Sequence, residues 1–124
     1  MHVLICEDEA LLATEIEAIA GEAGTTVTGI ATTAAQARRL AARAAPDVAI
    51  IDLHLDDGRS GATLAAELAG RGARIVIVSG DTAVDPLLAG IPHVFLAKPI
   101  NPAMLRDLLA DAARRAVGSR AAAA

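Results

Sequence analysis

At 124 residues the chain is read as one domain with a core of ordinary size. Hydrophobic residues make up 54% of it, with one Phe and no Trp or Tyr, so that core must be aliphatic: Val, Ile and Leu on strands against Ala-rich helix faces. A net charge of −4 argues against a nucleic-acid surface and a single cysteine excludes an internal disulfide; no apolar stretch has the length of a membrane span or the layout of a signal peptide, so a cytoplasmic protein is expected.

His2-Val3-Leu4-Ile5-Cys6 is a short apolar strand closed by Glu7, Asp8 and Glu9, with Cys6 expected to be a buried small hydrophobe. Leu12, Ile16, Ile19, Ala20 and Ala23 then recur at helical spacing, with Glu15, Glu17 and Glu22 facing outward. Thr26-Val27-Thr28-Gly29-Ile30-Ala31 is a β-branched strand, and Thr32 or Thr33 can cap a helix over 34–44 that stops before Pro46. Val48-Ala49-Ile50-Ile51-Asp52 is an apolar run of the kind found in strands buried on both faces, followed by an Asp56-Asp57-Gly58 turn and a helix over 61–69. Arg74-Ile75-Val76-Ile77-Val78-Ser79 is a second such strand. His93-Val94-Phe95-Leu96-Ala97 is the fifth strand, ending at Lys98-Pro99, and Asn101 with Pro102 opens a last helix whose inner face is Leu105, Leu108, Leu109 and Ala112.

Strands alternating with helices imply a doubly wound α/β architecture: a five-stranded parallel sheet with helices on both faces. The stretch 80–92, with Pro86 inside and Gly90 closing it, leaves room for one short or irregular helix. The domain is expected over 1–117, with 118–124 a frayed, disordered tail.

Ligand sites of open α/β sheets lie beyond the carboxyl ends of the strands, where this chain collects Glu7, Asp8, Asp52, Ser79 and Lys98. Asp52 is read as a nucleophile that accepts a phosphoryl group. Three carboxylates converging in one pocket repel unless compensated, and a hard divalent cation compensates them. Mg²⁺ suits a site of few carboxylates, with the backbone carbonyl of His54 as a further oxygen. Taken singly, Glu7 and Asp8 could be solvated acids at a helix start; convergence with Asp52 is what favours the metal reading. Lys98 can pair with Asp52 at rest and with phosphoryl oxygens afterwards, and Pro99 behind it allows a cis peptide that re-aims the lysine. Ser79 can donate its hydroxyl to a phosphoryl oxygen or merely form a strand-end turn with Gly80. Phe95, taken by itself, is best read as core filling.

These segments resemble the receiver domain of two-component response regulators, of flavodoxin-like fold. Val3-Leu4-Ile5-Cys6-Glu7-Asp8-Glu9 looks like the opening strand and acidic pair, and Ile50-Ile51-Asp52-Leu53-His54-Leu55 like the phosphoacceptor segment. Val76-Ile77-Val78-Ser79-Gly80 looks like the strand ending in a hydroxyl residue and its small neighbour, and Phe95-Leu96-Ala97-Lys98-Pro99 like the switch aromatic and Lys-Pro signature. The likeness runs over nearly the whole chain. It implies phosphotransfer to Asp52 from a sensor histidine kinase or histidine phosphotransfer protein, Mg²⁺ held by Glu7 and Asp8, and Lys98 and Ser79 binding the phosphoryl group. Phe95 would turn inward as Ser79 moves, biasing a surface that binds a downstream protein target; whether phosphorylation also drives a homodimer is left open.

Asp56 stands where the family commonly has Pro, the turn to Gly61 is slightly long, and Ser79 to Lys98 is short. The last feature resembles atypical single-domain receivers with a reduced fourth helix. His54 and Asp81, two residues past Asp52 and Ser79, are expected to tune the lifetime of the phosphate. The leading reading is a stand-alone receiver that catalyses only its own phosphorylation and dephosphorylation. A phosphorylation-independent interaction module is the alternative. A phosphatase with an Asp nucleophile fits less well, because His54 stands where its general acid belongs; nucleotide-binding glycine motifs are absent.

Overall fold

The computed structural model describes residues 1–81 and 85–123, with side chains described through residue 116. Five strands, β1 (His2–Cys6), β2 (Thr26–Ala31), β3 (Val48–Asp52), β4 (Arg74–Ser79) and β5 (His93–Ala97), form one parallel sheet in the order β2-β1-β3-β4-β5. Chain order reverses between β1 and β3, which opens a crevice at their carboxyl ends. The register sets Cys6 beside Ile51, Asp52 beside Val78 and Ser79 beside Ala97, so the strand exits line up along one rim.

Strand side chains alternate between two cores. Leu4, Cys6, Ala49, Ile51, Ile75 and Ile77 point to one face, under α2 (Ala34–Arg43) and α3 (Gly61–Gly70). Val3, Ile5, Val48, Ile50, Val76 and Val78 point to the other, under α1 (Ala10–Glu22) and α4 (Pro102–Ala123). The central strands are buried on both sides, which is why they read as unbroken apolar runs. Alanines at 34, 37, 41, 62 and 65 let α2 and α3 sit close to the sheet, and burial pushes the Cys6 thiol up to about 12. Of the two candidate caps before α2, Thr33 is the one used, its hydroxyl accepting from the Gln36 N–H at 3.0 Å. Asn101 caps α4, accepting from the Met104 N–H.

Between β4 and β5 the described residues hold a single 3₁₀ turn, Pro86–Leu88, so the short, irregular element expected over 80–92 is what forms. Pro86 opens this turn instead of interrupting a helix, and residues 82–84 lie outside the described residues. Phe95 is 44% exposed on the sheet's edge strand and does not fill the core as a lone Phe ordinarily would. The α4 backbone continues to Ala123, past the boundary expected at residue 117. Alanine, the residue most favourable to helix, ends the chain there.

Two glycines shape the loop that follows β3. Gly58 adopts φ +100°, a conformation costly for residues with a side chain, and exchanges both backbone hydrogen bonds with Leu55 at 2.9 Å. Gly61 opens α3 against the end of β3, where a Cβ would fall 2.1 Å from the Asp52 carbonyl oxygen and 2.6 Å from the Leu53 Cα. Backbone atoms cannot swing aside as a side chain can. Gly61→Ala is therefore expected to cost about 3 kcal/mol, the upper end of overpacking penalties, measured by urea denaturation.

Candidate functional site

The rim residues meet in space. Asp52 ends β3 and is 6% exposed; its Oδ1 accepts from the His54 N–H at 3.0 Å and its Oδ2 from Lys98 Nζ at 2.6 Å. Glu7, just beyond β1, is 1% exposed, and its backbone N–H is fixed by the Ala31 carbonyl at 2.9 Å. Its Oε2 accepts from the Glu9 N–H at 3.1 Å, and its Oε1 lies 3.0 Å from Lys98 Nζ. The Lys98 N–H donates to the Ser79 carbonyl at 3.0 Å, which ties the lysine to the end of β4, and the Lys98–Pro99 peptide is cis. Ser79 is buried, its Oγ accepting from the Asp81 N–H at 3.0 Å. That leaves the hydroxyl proton of Ser79 available for donation.

One ammonium pairs with Glu7 and Asp52 here, and single oxygens of Glu7, Asp8 and Asp52 all lie within 4.8 Å of one another. Burial pushes the Glu7 carboxyl up to about 7, against the pull of the Glu9 N–H and Lys98. Burial alone would lower the Lys98 ammonium, but the hydrogen bond to Asp52 and the ion pair with Glu7 outweigh it and hold its pKa above the ordinary lysine value. Glu7 Oε1, although close to Lys98 Nζ, is buried without an aligned hydrogen bond. A buried oxygen left in that state, beside two further carboxylates, suits a hard cation that takes oxygen ligands.

Every strand-end residue singled out in the sequence is thus drawn together, with Phe95 the exception. It stands on β5 beside Ile77, away from the hydrogen-bonded cluster. His54 and Asp81 face each other across the rim, Nε2 to Oδ2 at 3.7 Å.

A parallel sheet wound in both directions, with buried acids and a paired lysine at its carboxyl rim, is the build of a receiver-type signalling domain. The chain belongs to the response regulator receiver domain family, whose model matches residues 3–110; phosphorylation on an aspartate is generic to that family. It is similar to the phyllosphere-induced regulator PhyR of Methylorubrum extorquens, 29% identical over 115 residues that make up 90% of this chain and 43% of that protein. The solution structure of the PhyR receiver domain from Erythrobacter litoralis superposes with a TM-score of 0.78 at 27% identity, covering 90% of this chain and 88% of that one. The crystal structure of the anti-anti-sigma factor PhyR from Bartonella quintana gives 0.78 at 26% identity, covering 99% of this chain and 51% of that one. The chain spans less than half the length of the curated relative it matches.

Two residues of the β3–α3 loop escaped the sequence reading. Arg59 places its guanidinium 3.8 Å from Asp81 Oδ2 and 3.6 Å from Asp85 Oδ2. Asp57 reaches back to the start of α2, accepting from the Ala34 and Ala35 N–H groups at 3.0 and 3.4 Å and from Ser60 Oγ at 2.6 Å. The only local sign of this was an Asp before Gly58, which reads as a turn. The Ser60 hydroxyl and these backbone donors hold the Asp57 carboxyl below its ordinary value. A carboxyl lowered in the fold adds stability that is complete above the unfolded pKa and is lost as pH falls through the folded one. Asp57→Ala is expected to lower Tm by a constant amount between pH 5 and 8, and the two melting curves should converge as pH drops below ~3.9.

Proposed function

We propose that this domain takes a phosphoryl group on Asp52 from a phosphohistidine of a sensor kinase or phosphotransfer protein, and that Glu7, Asp8, Asp52 and the His54 carbonyl hold Mg²⁺ for the transfer. The observation that carries this reading is Lys98 Nζ at 2.6 Å from Asp52, within a group of three carboxyls that one ammonium does not neutralise. Mg²⁺ in that group would offset negative charge on the incoming phosphoryl oxygens. A carboxylate oxygen of Asp52 forms the new bond to phosphorus as the N–P bond to the donor imidazole breaks. Lys98 then exchanges its carboxylate partner for the phosphoryl oxygens, and Ser79 turns its free hydroxyl proton toward them. Much of the catalysis in such a transfer is positioning and charge compensation.

The donor must reach Asp52 past the start of α1. A cleft beside Lys98, lined by Glu9, Leu11, Leu12, Pro99 and Ile100, offers it an apolar seat, with Leu11 84% exposed. At the opposite side, movement of Ser79 and Phe95 would alter the surface around β5, where Val94 and Phe95 are exposed, and this is read as the face for a downstream protein. The Bartonella relative's description as an anti-anti-sigma factor suggests a regulator of transcription initiation as the kind of target. His54 and Asp81 are read as residues that adjust phosphate lifetime, and the location proposed is the cytoplasm.

Incubation with Mg²⁺ and acetyl phosphate, followed by intact mass, is expected to show one added phosphoryl group. Asp52→Asn and chelation of the metal should each abolish it, whereas His54→Ala should change only its decay. An adduct that persists in Asp52→Asn sinks the assignment. Absence of both adduct and Mg²⁺ binding, the latter followed by calorimetry, would favour a phosphorylation-independent interaction module.

A further inference from the structure

We propose that the outer edge of β5 pairs with the same edge of a second copy of this chain, antiparallel and centred on Phe95, so that two five-stranded sheets join into one. This pairing needs no phosphoryl group and does not rest on the reading of Asp52 as phosphoacceptor.

The register shows which backbone groups that edge offers. The Lys98 N–H donates to the Ser79 carbonyl, so at Lys98 the chain turns its peptide groups toward β4. Successive residues of a strand bond to opposite sides, and the pairing of β4 with β5 runs without a break from Ile75 and His93 to Ser79 and Ala97. Val94 and Leu96 therefore bond to β4 as Lys98 does, while the N–H and C=O groups of His93, Phe95 and Ala97 point away from it. β5 is the terminal strand, and among the described residues no other backbone hydrogen bond reaches these three. All three are exposed.

The two edges of the sheet differ in how they meet a further strand. On β2 the pairing with β1 slips between Val3 and Leu4, which leaves Thr28 without a partner across the ladder, and Val27 to Ile30 are half-buried. An irregularity of that kind guards an edge against another strand. β5 has no such slip, and His93 to Ala97 contain no proline, acid, lysine or arginine. Lys98, next in line, has its ammonium held by Asp52 and Glu7.

Phe95 shares the face of Ile77 and Val94 that of Val76, so these two side chains, both 44% exposed, lie on opposite faces of the sheet. A group resting on one face covers only one of them, whereas a strand added in the plane of the sheet covers both. Symmetry selects a second copy as that strand. With Phe95 opposite the partner's Phe95, His93 lies opposite the partner's Ala97, and each pair exchanges both of its hydrogen bonds. Val94 then faces the partner's Leu96, apolar against apolar. A contact that uses the same patch on both subunits closes at two chains. The dimer also withholds Phe95 and Val94 from the downstream protein proposed above.

Sedimentation velocity of the whole chain over roughly 10 to 500 µM is expected to show monomer and dimer in exchange, since an interface of this small size is weak. Over the same range, amide exchange followed by NMR should slow at Phe95 and Ala97, while Val94 and Leu96, already bonded to β4, change little. Phe95→Lys and Phe95→Glu should each keep the circular dichroism of the wild type and weaken the dimer about tenfold or more, because like charges then stand face to face. An equimolar mixture of the two variants should associate again, as only an arrangement with residue 95 against itself provides. A monomer at every concentration overturns the inference. So does growth beyond a dimer, a dimer whose Phe95 and Ala97 amides do not respond, or a mixture of the variants that stays monomeric.

Discussion

Burying Glu7 and Asp52 side by side would be strongly unfavourable if nothing opposed their charges, because desolvation and mutual repulsion act in the same direction. Lys98 opposes them, 2.6 Å from one carboxylate and 3.0 Å from the other. That ammonium comes from the far end of the sheet's edge strand, and it reaches the acids only because β1, β3, β4 and β5 lie side by side in register. The site and the sheet therefore depend on one another. The compensation is also incomplete, since one ammonium meets two buried carboxylates and Asp8 offers a third carboxylate oxygen within 4.8 Å of both.

Around this rim the loops are built in different ways. The β3–α3 loop is locked by backbone approach at Gly61, by a left-handed Gly58 and by the carboxylate of Asp57 on the N-terminus of α2. Among the described residues the β4–β5 connection shows one 3₁₀ turn, and on β5 Phe95 and Val94 are both 44% exposed.

The assignment to the receiver family follows from the order in which these parts occur along the chain, and the relatives found place the fold beyond the reach of any single motif. Each strand-end residue alone is ordinary: an Asp in a turn, a Ser before a Gly, a Lys before a Pro. Their meaning comes from parallel strands that deliver all of them to one edge. Phe95 shows the converse. Its residue type suggested core and its place in the motif suggested a switch, while in the fold it stands 44% exposed on the edge strand.

By itself the sequence determined the five strands, the two-faced burial of the central ones, the thin β4–β5 connection and the strand-end cluster, because each is written in local periodicity or in residues at strand termini. It did not disclose the grip of Asp57 on α2, the span of Arg59 between Asp81 and Asp85, or the contact of His54 with Asp81. Those pairings join residues from separate loops, and no local pattern encodes which loops will meet. Only the twist and register of the finished sheet fix the distances between them, so only the tertiary structure could decide which charges become partners.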